Sequence, residues 1–210
     1  MSRLSCVVAL GGLMYFSPLA RAQDTKGVGG FQYYGITHVS WSYYEYTSAA
    51  ATTSRNDLAA TKFNWAGVLV TWYQPTIKSN AMLSTFNTPS DAAVTQAIQE
   101  FHDKGIKVML KPHVDVNDQS WRGNIKPDDP DAWFANYTKF IVQYAQMAES
   151  LKVEMLCWWP SAAVPRAHYY RDFRKAIKPA SSRQRLVGLE LPFTSQSASA
   201  AAFISRSVSA

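Results

Sequence analysis

The sequence predicts an α/β fold of the (β/α)8 TIM-barrel type, with only about the first half of the barrel present. Three observations carry this. From about residue 31 to 157, strand-like segments alternate with segments of helical periodicity, the order expected of βαβ units and a parallel sheet. One segment, Trp65 to Trp72 (WAGVLVTW), is almost wholly apolar, as a strand covered on both faces must be. No Gly-x-Gly-x-x-Gly follows the first strand, which turns the reading away from a dinucleotide-binding sheet and toward a barrel.

Each element follows from local signals. Phe31 to Trp41 reads as the first strand and Ala49 to Lys62 as a helix of small residues. After the Trp65 strand, Thr88-Pro89-Ser90-Asp91 opens a helix, with Thr88 as cap, Pro89 at the first position and Asp91 in the first turn. Val94, Ile98 and Phe101 form its apolar face and Gly105 ends it. Ile106 to Leu110 is the next strand, stopped by Pro112. Asp129-Pro130 opens the longest helix, whose apolar residues Trp133, Tyr137, Phe140, Tyr144, Met147 and Leu151 alternate steps of four and three. Val153 to Cys157 is a fourth strand. Tyr169 to Ile177 suggests a short helix and Leu186 to Leu191 one more strand.

Apolar residues make up 47% of the 210-residue chain and aromatic residues 13%, which excludes a disordered chain and a disulfide-stapled miniature fold. The net charge of +6 is uneven. Met1 to Lys152 holds 13 Lys and Arg against 12 Asp and Glu, whereas the remainder holds 8 against 3. The body lacks the basic stripe of a nucleic-acid binder. At the amino terminus, Arg3, an apolar run from Leu4 to Leu19 and Ala20-Arg21-Ala22 form a secretory signal peptide over 1–22. The run is short for a membrane span, so cleavage before Gln23, no stable membrane insertion, and a secreted or periplasmic protein are expected. Cys157 is then the only cysteine, so no disulfide within the chain and no Cys/His metal site are expected. The sequon at Asn136 falls in a helix and is given no role.

In a barrel, chemistry gathers where strands end. Trp41, Tyr43, Tyr44 and Glu45 follow the first strand; Trp72, Tyr73 and Gln74 end the second; Lys111, His113, Asp115, Asn117, Asp118, Trp121 and Arg122 follow the third. Flat rings with polar edges beside directional hydrogen-bonding groups suit hydroxyl-rich ligands. The candidate substrate-binding residues are Trp41, Trp72, Lys111, His113, Asp115, Trp121 and Arg122. Against this stand bland roles: rim packing for Trp72, a structural His113, and turn formation for Asp115, Asn117 and Asp118. A calcium loop is excluded, because no Gly stands at its sixth position and Lys126 stands at its twelfth.

The block Val108-Met109-Leu110-Lys111-Pro112-His113-Val114-Asp115 with Trp121-Arg122-Gly123 resembles the third-strand motif of glycoside hydrolase family 113. Trp133-Phe134, Tyr137, Phe140-Ile141 and Tyr144-Ala145 resemble that family's third helix, and Gly35-Ile36-Thr37 its opening. The resemblance runs from about Gly30 to Cys157. It implies a (β/α)8 barrel acting on β-1,4-linked, mannan-type polysaccharide with retention of configuration and no cofactor. Such chemistry needs two carboxyl groups about 5 Å apart. The resemblance puts the acid/base glutamate in a Gly-x-Glu after the fourth strand and the second carboxylate after the seventh. Here Cys157 is followed by Trp158-Trp159-Pro160-Ser161, and Glu154 lies at the wrong end of the strand.

From there to Ala210 the chain is basic and Ser/Ala-rich, and too short for a full barrel of about 250 residues. The domain reading is therefore a signal peptide (1–22), the first half of a glycosidase-like barrel (23–157) and an atypical tail (158–210) read in a shifted frame. A natural short protein is the alternative. No catalytic residue is assigned, and the chain is expected to be inactive as written. A non-catalytic carbohydrate-binding protein, or a product that never folds, are the other readings. The expected partner is a polysaccharide or oligosaccharide.

Overall fold

The computed structural model describes residues 33–158, 175–180 and 185–188. Its strands are β1 (Gly35–His38), β2 (Trp65–Gln74), β3 (Lys107–Val116), β4 (Met155–Trp158) and β5 (Arg185–Gly188). Its helices are α1 (Ala49–Ala59), α2 (Asp91–Asp103) and α3 (Pro130–Ser150). The five strands form one sheet in the order β1-β2-β3-β4-β5, every pair parallel. Each strand lies beside its predecessor and the order never reverses. That is the winding of a barrel; a doubly wound sheet would turn back at a switch point. β5 and the helical residues 175–177 continue the pattern past Cys157, and Ile177 is buried in the main core.

Alternation along the strands separates two faces. Ala66, Val68 and Val70 of β2, Val108, Leu110 and Val114 of β3, and Leu156 of β4 point outward into the main core with α2 and α3. That core takes Val94, Ala97, Ile98 and Phe101 from α2, and Trp133, Tyr137, Phe140, Ile141 and Tyr144 from α3. The inner face carries a separate small cluster of Met109, Met155 and Cys157, with Tyr33 and Trp65 packed on it. Fully burying a large apolar side chain contributes about 1.5–3 kcal/mol, so the outer face holds most of the stability.

Three local expectations change. The α2 cap is Ser90, whose Oγ accepts from Ala93 N at 3.1 Å. Thr88 instead donates its hydroxyl to the Thr71 carbonyl at 2.7 Å, fastening the loop to the end of β2. Pro112 does not stop β3. The β3–β4 ladder covers only Met109 and Leu110, so Pro112 lies where β3 is paired on one side alone, the setting in which a strand tolerates a missing N–H. β1 is shorter than expected; Phe31 and Gln32 lie outside the described residues. Gly105 ends α2 with φ 70°, and Asp129 caps α3 by accepting from Ala132 N at 3.0 Å, with Pro130 in the first turn.

A buried polar cluster fixes the loop after β1. Arg55 of α1 is fully buried. It donates to Glu100 Oε2 at 2.8 Å, the Tyr46 carbonyl at 3.0 Å and Thr52 Oγ1 at 3.1 Å, and approaches His38 Nε2 at 3.2 Å. The Arg55 hydrogen bond holds the Glu100 carboxyl below its usual range. Tyr46, also fully buried, places its hydroxyl 2.8 Å from the carbonyls of His38 and Leu69 and accepts from Leu69 N at 3.1 Å. The two side chains thus lock the first strand–loop–helix unit onto β2.

Candidate functional site

The longer β3 places its polar residues on the strand itself. Lys111, His113 and Asp115 follow Met109 at steps of two and share its inner face, each partly accessible. Register sets Thr71 beside His113 and Tyr73 beside Asp115. Arg122, from the 3-10 turn Arg122–Asn124, reaches back so that Nη1 lies 3.5 Å from Asp115 Oδ2. Asp115 Oδ1 also accepts from Val116 N at 2.9 Å. Lys111, His113, Asp115 and Arg122 are therefore gathered at the carboxyl-terminal end of the inner face.

Burial, reinforced by Arg122 and Lys111, pushes the His113 imidazole down to about 3. The ring is neutral at physiological pH and offers one donor and one acceptor, what a sugar hydroxyl can use. Burial, and then the Asp115 carboxylate, push the Tyr73 phenol up, so it too stays protonated. Thr71 Oγ1 is buried and has no hydrogen-bond partner among the described residues.

Trp72 is not part of this group. Alternation turns it to the outer face, where its ring packs on Phe140 with centroids 5.0 Å apart and Nε1 donates to Tyr144 Oη at 3.0 Å. Tyr144 in turn reaches Asp91 Oδ1 at 3.2 Å. The expectation of a stacking face at Trp72 gives way to a structural role because its neighbour, Tyr73, takes the inner side. Counting in twos from Gly67 to Leu69, Thr71 and Tyr73 identifies Tyr73 as the group that the candidate residues omit.

Trp41 and Trp121 occupy the loops after β1 and β3 and are 48% and 51% exposed. Trp41 N donates to Glu45 Oε2 at 2.6 Å, which sets the turn. The Trp121 ring lies on Gly123, where a Cβ would come within 2.4 Å of it, so a larger residue there would push the ring aside. Tyr43, Tyr44, Leu83 and Phe86 add exposed apolar surface on the loops after β1 and β2. Two loops are joined: Lys126 N donates to Ile77 O at 2.9 Å and Asp128 N to Lys78 O at 3.0 Å. Glu154, at the opposite end, accepts from Val108 N at 2.8 Å and lies 3.2 Å from His102 Nε2. Burial works to raise its carboxyl, but these hydrogen bonds outweigh it and hold Glu154 below its usual range. It ties β3 to β4, far from the gathered residues. Among the described residues no group of His, Cys, Asp and Glu could hold a metal ion, and no helix is long and apolar enough to cross a membrane.

Known structures share this fold. A family 113 β-1,4-mannanase superposes with a TM-score of 0.68 at 22% identity, over 74% of this chain and 54% of its own. The β-mannanase AaManA from Alicyclobacillus acidocaldarius, in complex with ManMIm, gives 0.68 and 22% over 74% and 53%. A complex structure of a family 113 β-1,4-mannanase gives 0.67 and 20% over 74% and 55%. The chain thus spans about half the length of these structures, and at such identity they show the fold. No curated protein matches the chain. The sequence model of Glycoside Hydrolase Family 113 matches residues 34–178, running past Cys157 through Ile177. With more than half of the chain matched and the parallel half-barrel in place, this chain belongs to glycoside hydrolase family 113.

Proposed function

We propose that this chain is an exported, β-mannan-type glycoside hydrolase half-barrel that binds β-1,4-linked polysaccharide without cleaving it. The observation that carries the reading is the inner-face row Lys111, His113 and Asp115, backed by Arg122 and set beside Tyr73. Neutral His113 and Tyr73 exchange hydrogen bonds with sugar hydroxyls. Asp115 accepts from hydroxyls with the lone pairs that Arg122 leaves free. Trp41 and Trp121 present half-exposed rings to sugar faces.

Retaining hydrolysis needs an acid/base and a nucleophile about 5 Å apart. Among the described residues Asp115 is the one carboxylate on the inner face, and it is paired with Arg122. Glu154 is occupied at the other end. This favours binding over turnover in the chain as written. The purified protein is expected to release no reducing sugar from β-mannan above the buffer rate, while calorimetry detects binding of β-1,4-mannotetraose. Protein-dependent release of sugar overturns the inactive half of the reading; absence of binding overturns the other half. Export is tested separately: the mass of the secreted protein is expected to correspond to a start at Gln23.

A further inference from the structure

The gathered residues are not balanced in charge. Lys111 is half-buried on β3, and its ammonium acts electrostatically on the His113 ring and on the Cys157 thiol of β4. It makes no hydrogen bond or ion pair among the described residues. Asp115, the carboxylate that shares this face, is already engaged by Arg122 and Val116 N; on the loops, Glu45 accepts from Trp41 N and Asp118 from Ser120 N. On the other loops Asp91 holds Tyr144, and Asp129 caps α3. The carboxyl-terminal end of the inner face therefore presents two cations, Lys111 and Arg122, against one carboxylate, Asp115, in a body whose charges otherwise nearly cancel. A half-buried ammonium with no counter-ion among the described residues favours an anionic ligand.

We infer that this face prefers a β-linked polysaccharide bearing uronic acid units, with Lys111 meeting the sugar carboxylate and His113 and Tyr73 the neighbouring hydroxyls. This rests on the reading of the inner face as a polysaccharide site and narrows its substrate class. A uronic acid carries its carboxylate on the ring carbon C5, so the anion arrives together with the hydroxyls that the other residues need. Arg122 is held by Asp115, which leaves Lys111 as the unpaired charge at this end of the face among the described residues.

The test is calorimetric titration of the full chain with two probes, a β-1,4-linked tetramer of glucuronic acid and β-1,4-mannotetraose. The uronate is expected to bind about tenfold more tightly, the worth of one charge-assisted hydrogen bond. The preference is expected to shrink as salt is raised, to vanish in Lys111→Met and to persist in Lys111→Arg. Circular dichroism confirms that both variants are folded; the Arg variant and the salt series carry the test should Lys111→Met not fold. Equal affinity for the two probes, or a preference unchanged in Lys111→Met, overturns this inference and leaves the neutral polysaccharide reading standing. Binding of neither probe overturns both.

Discussion

Trp72 and Tyr73 are consecutive in β2 and belong to different parts of the protein. Trp72 faces outward, packed on Phe140 and hydrogen-bonded to Tyr144. Tyr73 faces inward beside Asp115. The same division runs through the sheet. The outer face is apolar, covered by helices and almost closed to water; the inner face is apolar only around Met109, Met155 and Cys157 and polar at its carboxyl-terminal end. A one-residue step decides whether an aromatic ring stabilises the fold or meets a ligand. Residue type does not decide it.

The largest effect is expected on the outer face. Trp133 is fully buried, stacks on Tyr137 with centroids 5.0 Å apart and donates Nε1 to Gln74 Oε1 at 2.9 Å. Trp133→Ala is expected to cost about 3–5 kcal/mol in denaturant unfolding, by cavity formation and a lost buried hydrogen bond. A cost below 1 kcal/mol breaks the comparison, because it makes the outer core dispensable.

Arg55→Leu comes next. It removes a fully buried cation that holds Glu100, Tyr46 and Thr52 in place. Glu100 is partly exposed and can turn to water, so the expected loss is about 2 kcal/mol, below that of breaking a fully buried pair. Hydrogen exchange is expected to rise first in the loop between β1 and α1.

A smaller effect sharpens the inner side. His113 titrates well below the ordinary histidine range when folded, to about 3, so between the two values the unfolded chain binds more protons than the native one. Stability is therefore full above about pH 6.5 and falls as pH drops toward 5. For a ring that still reaches solvent the loss is about 1 kcal/mol over that interval. His113→Gln is expected to flatten this part of the pH–stability curve. His38, its pKa lowered by burial and then by Arg55, contributes in the same direction and leaves a residual slope.

Much of the fold was legible because its signals are local. The helix pattern from Trp133 to Tyr144, the Asp129-Pro130 start and the Gly105 stop need only a few neighbouring residues. The β3 boundary was not legible. Whether Pro112 ends a strand depends on how far β4 pairs, which no local pattern contains. At the site, Lys111, His113 and Asp115 lie on β3 itself rather than after it, and Arg122 comes back to Asp115. The expectation for Trp72 fails because residue type does not set the face; the phase of the alternation begun at Trp65 does. The absence of Gly-x-Glu after Cys157 is a plain feature of the sequence, and the family match nevertheless continues to residue 178.

The claim that the outer face stabilises and the inner face binds is tested most directly by calorimetric titration of β-1,4-mannotetraose into the wild-type chain, His113→Gln and Trp72→Phe. His113→Gln is expected to weaken binding about tenfold with little change in unfolding free energy at pH 7, the loss of one or two ligand hydrogen bonds. Trp72→Phe is expected to lower stability by about 1 kcal/mol, through the lost bond to Tyr144, and to leave affinity within about twofold. Unchanged affinity in His113→Gln together with a large loss in Trp72→Phe contradicts the account.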